Sequence, residues 1–360
     1  MMPSMVRRSL VLACMLGLTA QAAGAQVAQV PTVTVAGVIY ANYSYALKAD
    51  STLKPVAHGN NFEVSRAYIR VLGKFPQGIQ TQVTVDVDGR KAASNQQTFR
   101  LKYAFVSWTP ENSPLTYKFG MIHTPWNDFE EAMWDYRMQG TIPMERAGYI
   151  TSSDIGVGVD GMWDYDKIAL QAGVYNGEGY SNAPGDQRKD VEARLSVRLM
   201  RTDLAGRLGG LRLSGYAQVG KANGGGKRQR FIGMLSYKTK LVTLAAQAGF
   251  ATDSTSIALP SQKGRVLAAF GVLKLGDSSK VSLIGRVDQV DPNTDSVSTV
   301  PATRLAVNKQ TRIIAGISYV VSPNLRLLAD VDLNSVAGGS PTNAFDKGRQ
   351  QLFFHTEVKY

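Results

Sequence analysis

The chain is written in short runs in which apolar and polar residues take turns. In Leu352-Phe353-Phe354-His355-Thr356-Glu357-Val358-Lys359-Tyr360, one side carries Leu352, Phe354, Thr356, Val358 and Tyr360, and the other carries Phe353, His355, Glu357 and Lys359. A period of two marks a β-strand with one apolar and one wet face. Such runs fall at 32–47, 62–75, 79–89, 98–109, 115–122, 153–163, 167–176, 189–200, 210–221, 228–239, 241–252, 264–275, 280–290, 309–321, 325–335 and 349–360. The alternation is clearest at 190–199 and 310–319. About sixteen strands are predicted.

The links between these strands alternate in length. Short ones include Pro76-Gln77-Gly78, Pro110 to Pro114, Asp164-Tyr165-Asp166, Gly276 to Ser279 and Ser322-Pro323-Asn324, all rich in turn residues. Longer ones lie around 48–61, 123–152, 177–188, 253–263, 291–308 and 336–348. Short turns on one side and long loops on the other predict an all-β fold, a closed antiparallel transmembrane barrel with both mature ends on the periplasmic side. The link at 201–209 is longer than that pattern expects of a turn.

Parity assigns the faces. Val191, Ala193, Leu195, Val197 and Leu199 are expected to meet lipid, with Glu192, Arg194, Ser196 and Arg198 in the lumen. Phe75, Trp163, Tyr237, Tyr319 and Tyr360 fall on the lipid face near short-turn ends, where an interfacial aromatic girdle belongs. Trp108 breaks parity beside Leu101, Tyr103 and Phe105, which a bulge or an inward tryptophan would explain. A barrel of this strand number leaves a water-filled channel.

Residues 1–25 read as an export signal: Arg7 and Arg8, an apolar run from Leu10 to Leu18, and Ala23-Gly24-Ala25 before Gln26. Too few apolar residues separate Arg8 from Cys14 to favour a lipid-anchored cysteine. Residues 26–360 form the barrel domain and contain no cysteine, which removes disulfides, zinc thiolates and cysteine nucleophiles. After residue 25 no stretch of eighteen apolar residues appears, so helical spans are not expected. The formal charge is +12, and only Arg7 and Arg8 of that excess lie in the export segment. For an exported chain, nucleic acid is not an expected partner; the excess base is either a solvated surface or a positive field acting on anions.

Inward parity collects Arg66, Arg70, Arg100, Lys102, Lys118, Arg194, Arg198, Arg228, Arg230, Arg286, Arg312 and Arg326 as channel-lining cations, with Lys74 and Arg212 beside them. Guanidinium groups bind oxyanions in a fork geometry and focus field in a narrow lumen. The opposing expectation is that the lumenal acids Asp86, Asp88, Glu192, Asp288, Asp330, Asp332 and Glu357 neutralise them. The link 123–152 is the candidate constriction, through His123, Trp126, Glu130, Glu131, Trp134, Arg137 and Arg146. A loop this long and aromatic is expected to fold into the barrel rather than stand in water.

Other chemistries find little support. Gly156-Val-Gly158-Val-Asp-Gly161 matches a dinucleotide fingerprint but lies inside a strand pattern, where close backbone approach is the expected use. His58, His123 and His355 share no metal-ligand spacing. No catalytic residue, metal or cofactor is expected, although His355 with a serine on a neighbouring strand is the one conceivable hydrolytic pair.

Several segments resemble the phosphate-selective porin O and P family: Phe62 to Arg70, Leu101 to Trp108, Tyr117 to Trp126, Val174 to Tyr180 and Asp190 to Arg198. The likeness is good over residues 60–200 and continues mainly as pattern. It implies a sixteen-stranded trimeric barrel in the outer-membrane lipid, an inward third loop and basic residues along the permeation path, with Arg66 and Arg70 carried over as conduit residues. Loop 123–152 departs from the family by holding an acidic cluster and no lysine. The expectation is a porin for small hydrophilic solutes that prefers anions, phosphate-like oxyanions or small carboxylates. The rivals are a channel specific for one carbon source and a barrel-embedded hydrolase.

Overall fold

The computed structural model describes residues 30–48, 58–88, 98–182, 185, 187–222, 224–254, 256–276, 280–295, 309–337 and 350–360. The export segment expected at 1–25, with Cys14, lies outside them, as do parts of the long links at 48–61, 291–308 and 336–348. The strands are β1 (Thr32–Ala46), β2 (Asn60–Lys74), β3 (Ile79–Asp88), β4 (Thr98–Trp108), β5 (Leu115–His123), β6 (Ser153–Trp163), β7 (Ile168–Tyr175), β8 (Asp190–Met200), β9 (Gly210–Lys221), β10 (Lys227–Lys238), β11 (Val242–Asp253), β12 (Gln262–Lys274), β13 (Val281–Asp291), β14 (Gln310–Ser322), β15 (Leu325–Val336) and β16 (Gln350–Lys359). Each pairs antiparallel with its sequence neighbours, and β16 closes on β1. The bounds lie within two residues of those read from alternation.

Closure runs in register from Val38↔Lys359 to Ala46↔Gln351, and Gly37 and Tyr360 exchange backbone hydrogen bonds of 2.9 and 3.1 Å. The Tyr360 ring lies where a Cβ on Gly37 would stand, 2.4 Å away, so only glycine fits there. Gly37→Val is therefore expected to open the seam, and Tyr360→Asp to place a charge on the lipid face where the girdle ring sits. Both variants should show a several-fold loss of the heat-modifiable barrel band in the membrane fraction; wild-type yield would contradict this account of closure.

The faces follow the alternation. Val191, Leu195 and Leu199 are exposed, while Asp190, Glu192, Arg194 and Ser196 are buried on the inner side. The parity break at Trp108 has a definite cause: register shifts between Thr84 and Val85, whose partners are Tyr103 and Leu101, so Lys102 is an extra residue in β4. This bulge turns Tyr103 and Phe105 inward and leaves Trp108 outward at 48% exposure. The glycines 156, 158 and 161 lie inside β6, where added Cβ atoms would strike the Val174 carbonyl, the Ile122 side chain and the Trp163 ring. No helix among the described residues is long and apolar enough to cross a membrane.

An open barrel has no core of its own; the β5–β6 connection supplies one. It carries α1 (Asn127–Trp134), a 3-10 turn at Arg137–Gln139 and α2 (Pro143–Arg146). Asp128 and Glu130 occupy the first turn of α1, where carboxylates suit the positive helix end. Asp135 ends it in a left-handed conformation, and Lys238 Nζ donates to the Ala132 and Met133 carbonyls at 3.3 and 3.0 Å. Trp126, Phe129, Met133, Trp134, Met138, Ile142 and Met144 form one buried cluster with the inward residues Tyr216, Ile232, Met234, Phe270, Ile284 and Leu328. The 201–209 link is drawn toward the same cluster. Arg212 donates to the Gly206 and Gly209 carbonyls, Leu208 packs against the cluster, and Arg207 reaches Asp128 at 2.6 Å. That tether accounts for its length.

Candidate functional site: the partly plugged lumen

The inward cations expected to line a channel divide into two populations. Four of them hold the loop. Arg194 Nε donates to the Pro125 carbonyl at 2.8 Å with its guanidinium 4.6 Å over the Phe129 ring, and Arg230 Nε donates to the Tyr149 carbonyl at 2.7 Å. Arg286 reaches the Thr141 carbonyl at 3.2 Å while Asp288 grips it at 2.7 and 2.8 Å. Arg326 bridges Asp135 and Glu357, each at 3.0 Å. These guanidinium groups satisfy carbonyls of a buried segment that has few backbone partners of its own, which such groups must find. Of the cations expected to line the channel, these four therefore also hold the loop in place.

Register neutralises most of the others. Arg66 pairs with Asp86 at 2.7 Å, which Arg100 also approaches at 3.3 Å, and Arg228 pairs with Asp190 at 3.0 Å; the loop-holding Arg230 also meets Asp253 at 2.8 Å. Lys118 pairs with Asp160, Arg198 with Asp166 and Arg312 with Asp332. In the loop, Arg137 pairs with Glu131 at 2.9 Å and Arg146 with Asp288 at 3.6 Å.

Across from the anchored side lies a cavity of about 420 Å³ between the loop and the wall of β1 to β5 and β16. The wall contributes Tyr40, Tyr68, Arg70, Gln82, Thr84, Lys102, Tyr103 and His123; the loop contributes Asp128, Glu131, Asp135 and Arg137. Among the described residues, Arg70 and Lys102 have no carboxylate in ion-pair contact. Lys102 Nζ donates to the Tyr68 hydroxyl at 3.2 Å and sits 4.7 Å from that ring's centroid, and the Arg70 guanidinium lies 6.0 Å from the same ring. The His123 ring stacks on Tyr103 at 3.9 Å. The passage thus has an uncompensated basic wall facing an acidic loop edge. The larger apolar hollow bordered by Leu211, Leu235, Leu244 and Val287 belongs to the outer face.

Sequence reading placed Trp126, Glu130 and Trp134 in the constriction, and all three are fully buried against the wall rather than in the passage. Glu130 accepts from Trp126 Nε1 at 2.6 Å and from Gln247 Nε2 at 2.7 Å. Burial pushes its carboxyl up to about 8, partly offset by the Arg286 charge and these donors. A pKa raised by folding adds stability that is whole below the ordinary carboxylate range and is lost as pH rises through about 8. Loop stability, followed by tryptophan fluorescence during melting, is expected to fall as pH rises from the ordinary carboxylate range to about 8 and to level off above it, and Glu130→Gln to flatten that slope. An unchanged slope would contradict the burial account.

Tyr40, Tyr68 and Tyr103 were missed as lining residues, as was Arg207 as a tether, whereas the loop acids Asp128, Glu131 and Asp135 were read as groups that pair with lumenal arginines or narrow the passage, and they border the cavity. His355 lies 3.0 Å from Asp330, and among the described residues no serine hydroxyl hydrogen-bonds to it. No cluster of His, Cys, Asp and Glu among the described residues has the makings of a metal site.

A closed sixteen-stranded barrel with a wet, charged lumen and a loop packed inside it defines the class: an outer-membrane porin barrel. The chain belongs to the family described as phosphate-selective porin O and P, whose sequence model matches residues 39–240. Similar solved structures include the anion-selective porin from Comamonas acidovorans (TM-score 0.66, 11% identity, covering 92% of this chain and 100% of that one). Salmonella typhi OmpF in complex with daunomycin is another (0.67, 14%, 91% and 97%). The in-vitro folded OmpT of Vibrio cholerae in its trimer form is a third (0.59, 12%, 92% and 99%). At these identities the likeness is one of fold. No curated protein matches the sequence.

Proposed function

We propose that the chain, exported by a cleaved segment at 1–25, forms a water-filled channel in the outer membrane that passes small hydrophilic solutes and prefers anions, either phosphate-like oxyanions or small carboxylates. The observation that carries this reading is the pair Arg70 and Lys102, lumenal cations beside the open cavity with no carboxylate in contact among the described residues. Cations without an internal counter-ion leave positive potential for a passing anion, and the tyrosine shelf keeps each contact weak enough for release. The family description and the anion-selective neighbour point the same way. Trimeric assembly is part of the proposal, supported by the OmpT neighbour solved as a trimer.

Channel currents in chloride, titrated with inorganic phosphate and with succinate, test the solute class. Both anions should reduce chloride current weakly and reversibly. A block by only one of them would favour the channel specific for a single carbon source, and insensitivity to both would remove the oxyanion reading.

A further inference from the structure

We propose that the passage selects zwitterionic solutes, small molecules bearing both a carboxylate and an ammonium, by holding them across the gap between the β2–β4 wall and one face of α1. The proposal rests on the channel reading above and names a further substrate class for the same lumen. Asp128, Glu131 and Asp135 are spaced three and four residues apart, so they share one face of α1 and its C-cap. All three border the cavity, while Phe129, Glu130, Met133 and Trp134 of the same helix are buried. The helix thus turns an aromatic side to the barrel wall and an acidic side to the passage.

Like charges at that spacing weaken a helix unless opposite charges stand among them. Each acid is held by one arginine: Arg207 on Asp128 at 2.6 Å, Arg137 on Glu131 at 2.9 Å and Arg326 on Asp135 at 3.0 Å. The arginines steady the stripe without covering it. The Asp135 side chain is 61% exposed against 12% for Arg326, and that of Glu131 21% against 13% for Arg137. A solute in the gap therefore meets carboxylate on the loop side. Opposite stand Arg70, exposed on β2, and Lys102 on β4, neither in ion-pair contact with a carboxylate among the described residues.

This arrangement selects the solute. Charges of opposite sign on facing sides set a field across the passage, and low-dielectric walls focus it. A simple anion is drawn to the wall and repelled by the helix; a simple cation meets the reverse. A molecule bearing both charges is favoured at both ends at once. The wall cations still bias the channel toward anions among singly charged solutes, and the helix acids add the second demand. The cavity of about 420 Å³ lies within the usual span of small-molecule sites, about 300–1,000 Å³. An amino acid can lie across it.

The test measures block of single-channel current in dilute KCl by solutes of similar length: 4-aminobutyrate, butyrate, butylammonium and butyramide. Wild type should be blocked by 4-aminobutyrate at about tenfold lower concentration than by any of the other three. In E131Q/D135N that advantage should vanish and butyrate should become the strongest blocker. In R70Q/K102Q it should vanish as well, with butylammonium the strongest. This crossing separates a site with two poles from a loosened loop, which would weaken all four solutes together. Should E131Q/D135N not yield the heat-modifiable barrel, E131Q alone is read in its place, with a reduced advantage expected. Equal block of wild type by 4-aminobutyrate and butyrate, an advantage kept in full by either pole's variant, or a uniform loss would overturn the proposal. Inorganic phosphate and succinate are run on the same channels. If they block while 4-aminobutyrate does no better than butyrate, the zwitterion site falls and the anion channel stands. If 4-aminobutyrate blocks as expected and they do not, the oxyanion reading falls alone.

Discussion

Replacing Arg70 by Glu together with Lys102 by Gln should move the channel's permeability ratio toward cations by about tenfold or more in dilute salt. Among the described residues the pair is in no ion-pair contact with a carboxylate, and it faces Glu131 and Asp135 across the gap. Reversing one charge and removing the other would leave both sides acidic. Screening sets where the effect is read: the Debye length is about 10 Å at 0.1 M and about 3 Å at 1 M, so the shift should shrink steeply with salt. A matched control is Arg312→Gln with Asp332→Asn, which deletes an ion pair and leaves net charge unchanged. That double variant should keep the wild-type ratio. If the two double variants behave alike, the charge of Arg70 and Lys102 is not the selectivity element.

Trp134→Ala should loosen the loop and widen the channel without unfolding the barrel. Trp134 is 1% exposed, with its ring at 5.2 Å edge-on to Phe270, 5.5 Å from Tyr136 and 5.6 Å beneath the Arg286 guanidinium. Truncating a large buried aromatic costs about 3–5 kcal/mol, a large share of what packs so short a segment onto the wall. The strand ladder carries none of that loss, because its hydrogen bonds close around the barrel without the loop. The expected result is higher and noisier single-channel conductance, and liposome swelling that admits larger sugars than wild type does. Heat-modifiability on gels should be retained. Unchanged conductance and sieving would mean that the loop does not limit the passage.

The strands and their faces were legible because lipid on one side and water on the other impose a period of two on every segment. The alternation at 190–199 and 325–335 fixes lumenal and outer residues with no tertiary information. What the alternation does not carry is register. Asp86 and Arg66 both read as lumenal, yet only the β2–β3 ladder brings them together, at Arg66↔Asp88 and Tyr68↔Asp86. Most of the expected lining cations are thus ion-paired, while among the described residues Arg70, Lys102 and the loop-holding Arg194 are in no carboxylate contact. Arg66 and Arg70, expected together as conduit residues, differ in their surroundings, since Arg66 is bound to Asp86.

The lining tyrosine Tyr103 was misplaced because a single-residue bulge at Lys102 flips the parity that follows it. The misfit of Trp108 was the trace of that bulge in the sequence. Arg207 left a trace as well, in a link too long for a turn. The loop's aromatic content correctly marked it as a packed segment, but it does not distinguish residues that face the passage from residues that face the wall. Trp126 and Trp134 turn out to be the anchors, and Glu131 and Asp135 the rim.

The reversal potential of wild-type channels in a planar bilayer across a KCl gradient, taken in dilute salt, tests the central claim most directly. The account predicts a potential displaced toward the chloride equilibrium value, with the displacement fading as salt is raised on both sides. A potential displaced toward the potassium value would contradict it, and would make the acidic loop edge, not Arg70 and Lys102, the element that sets selectivity.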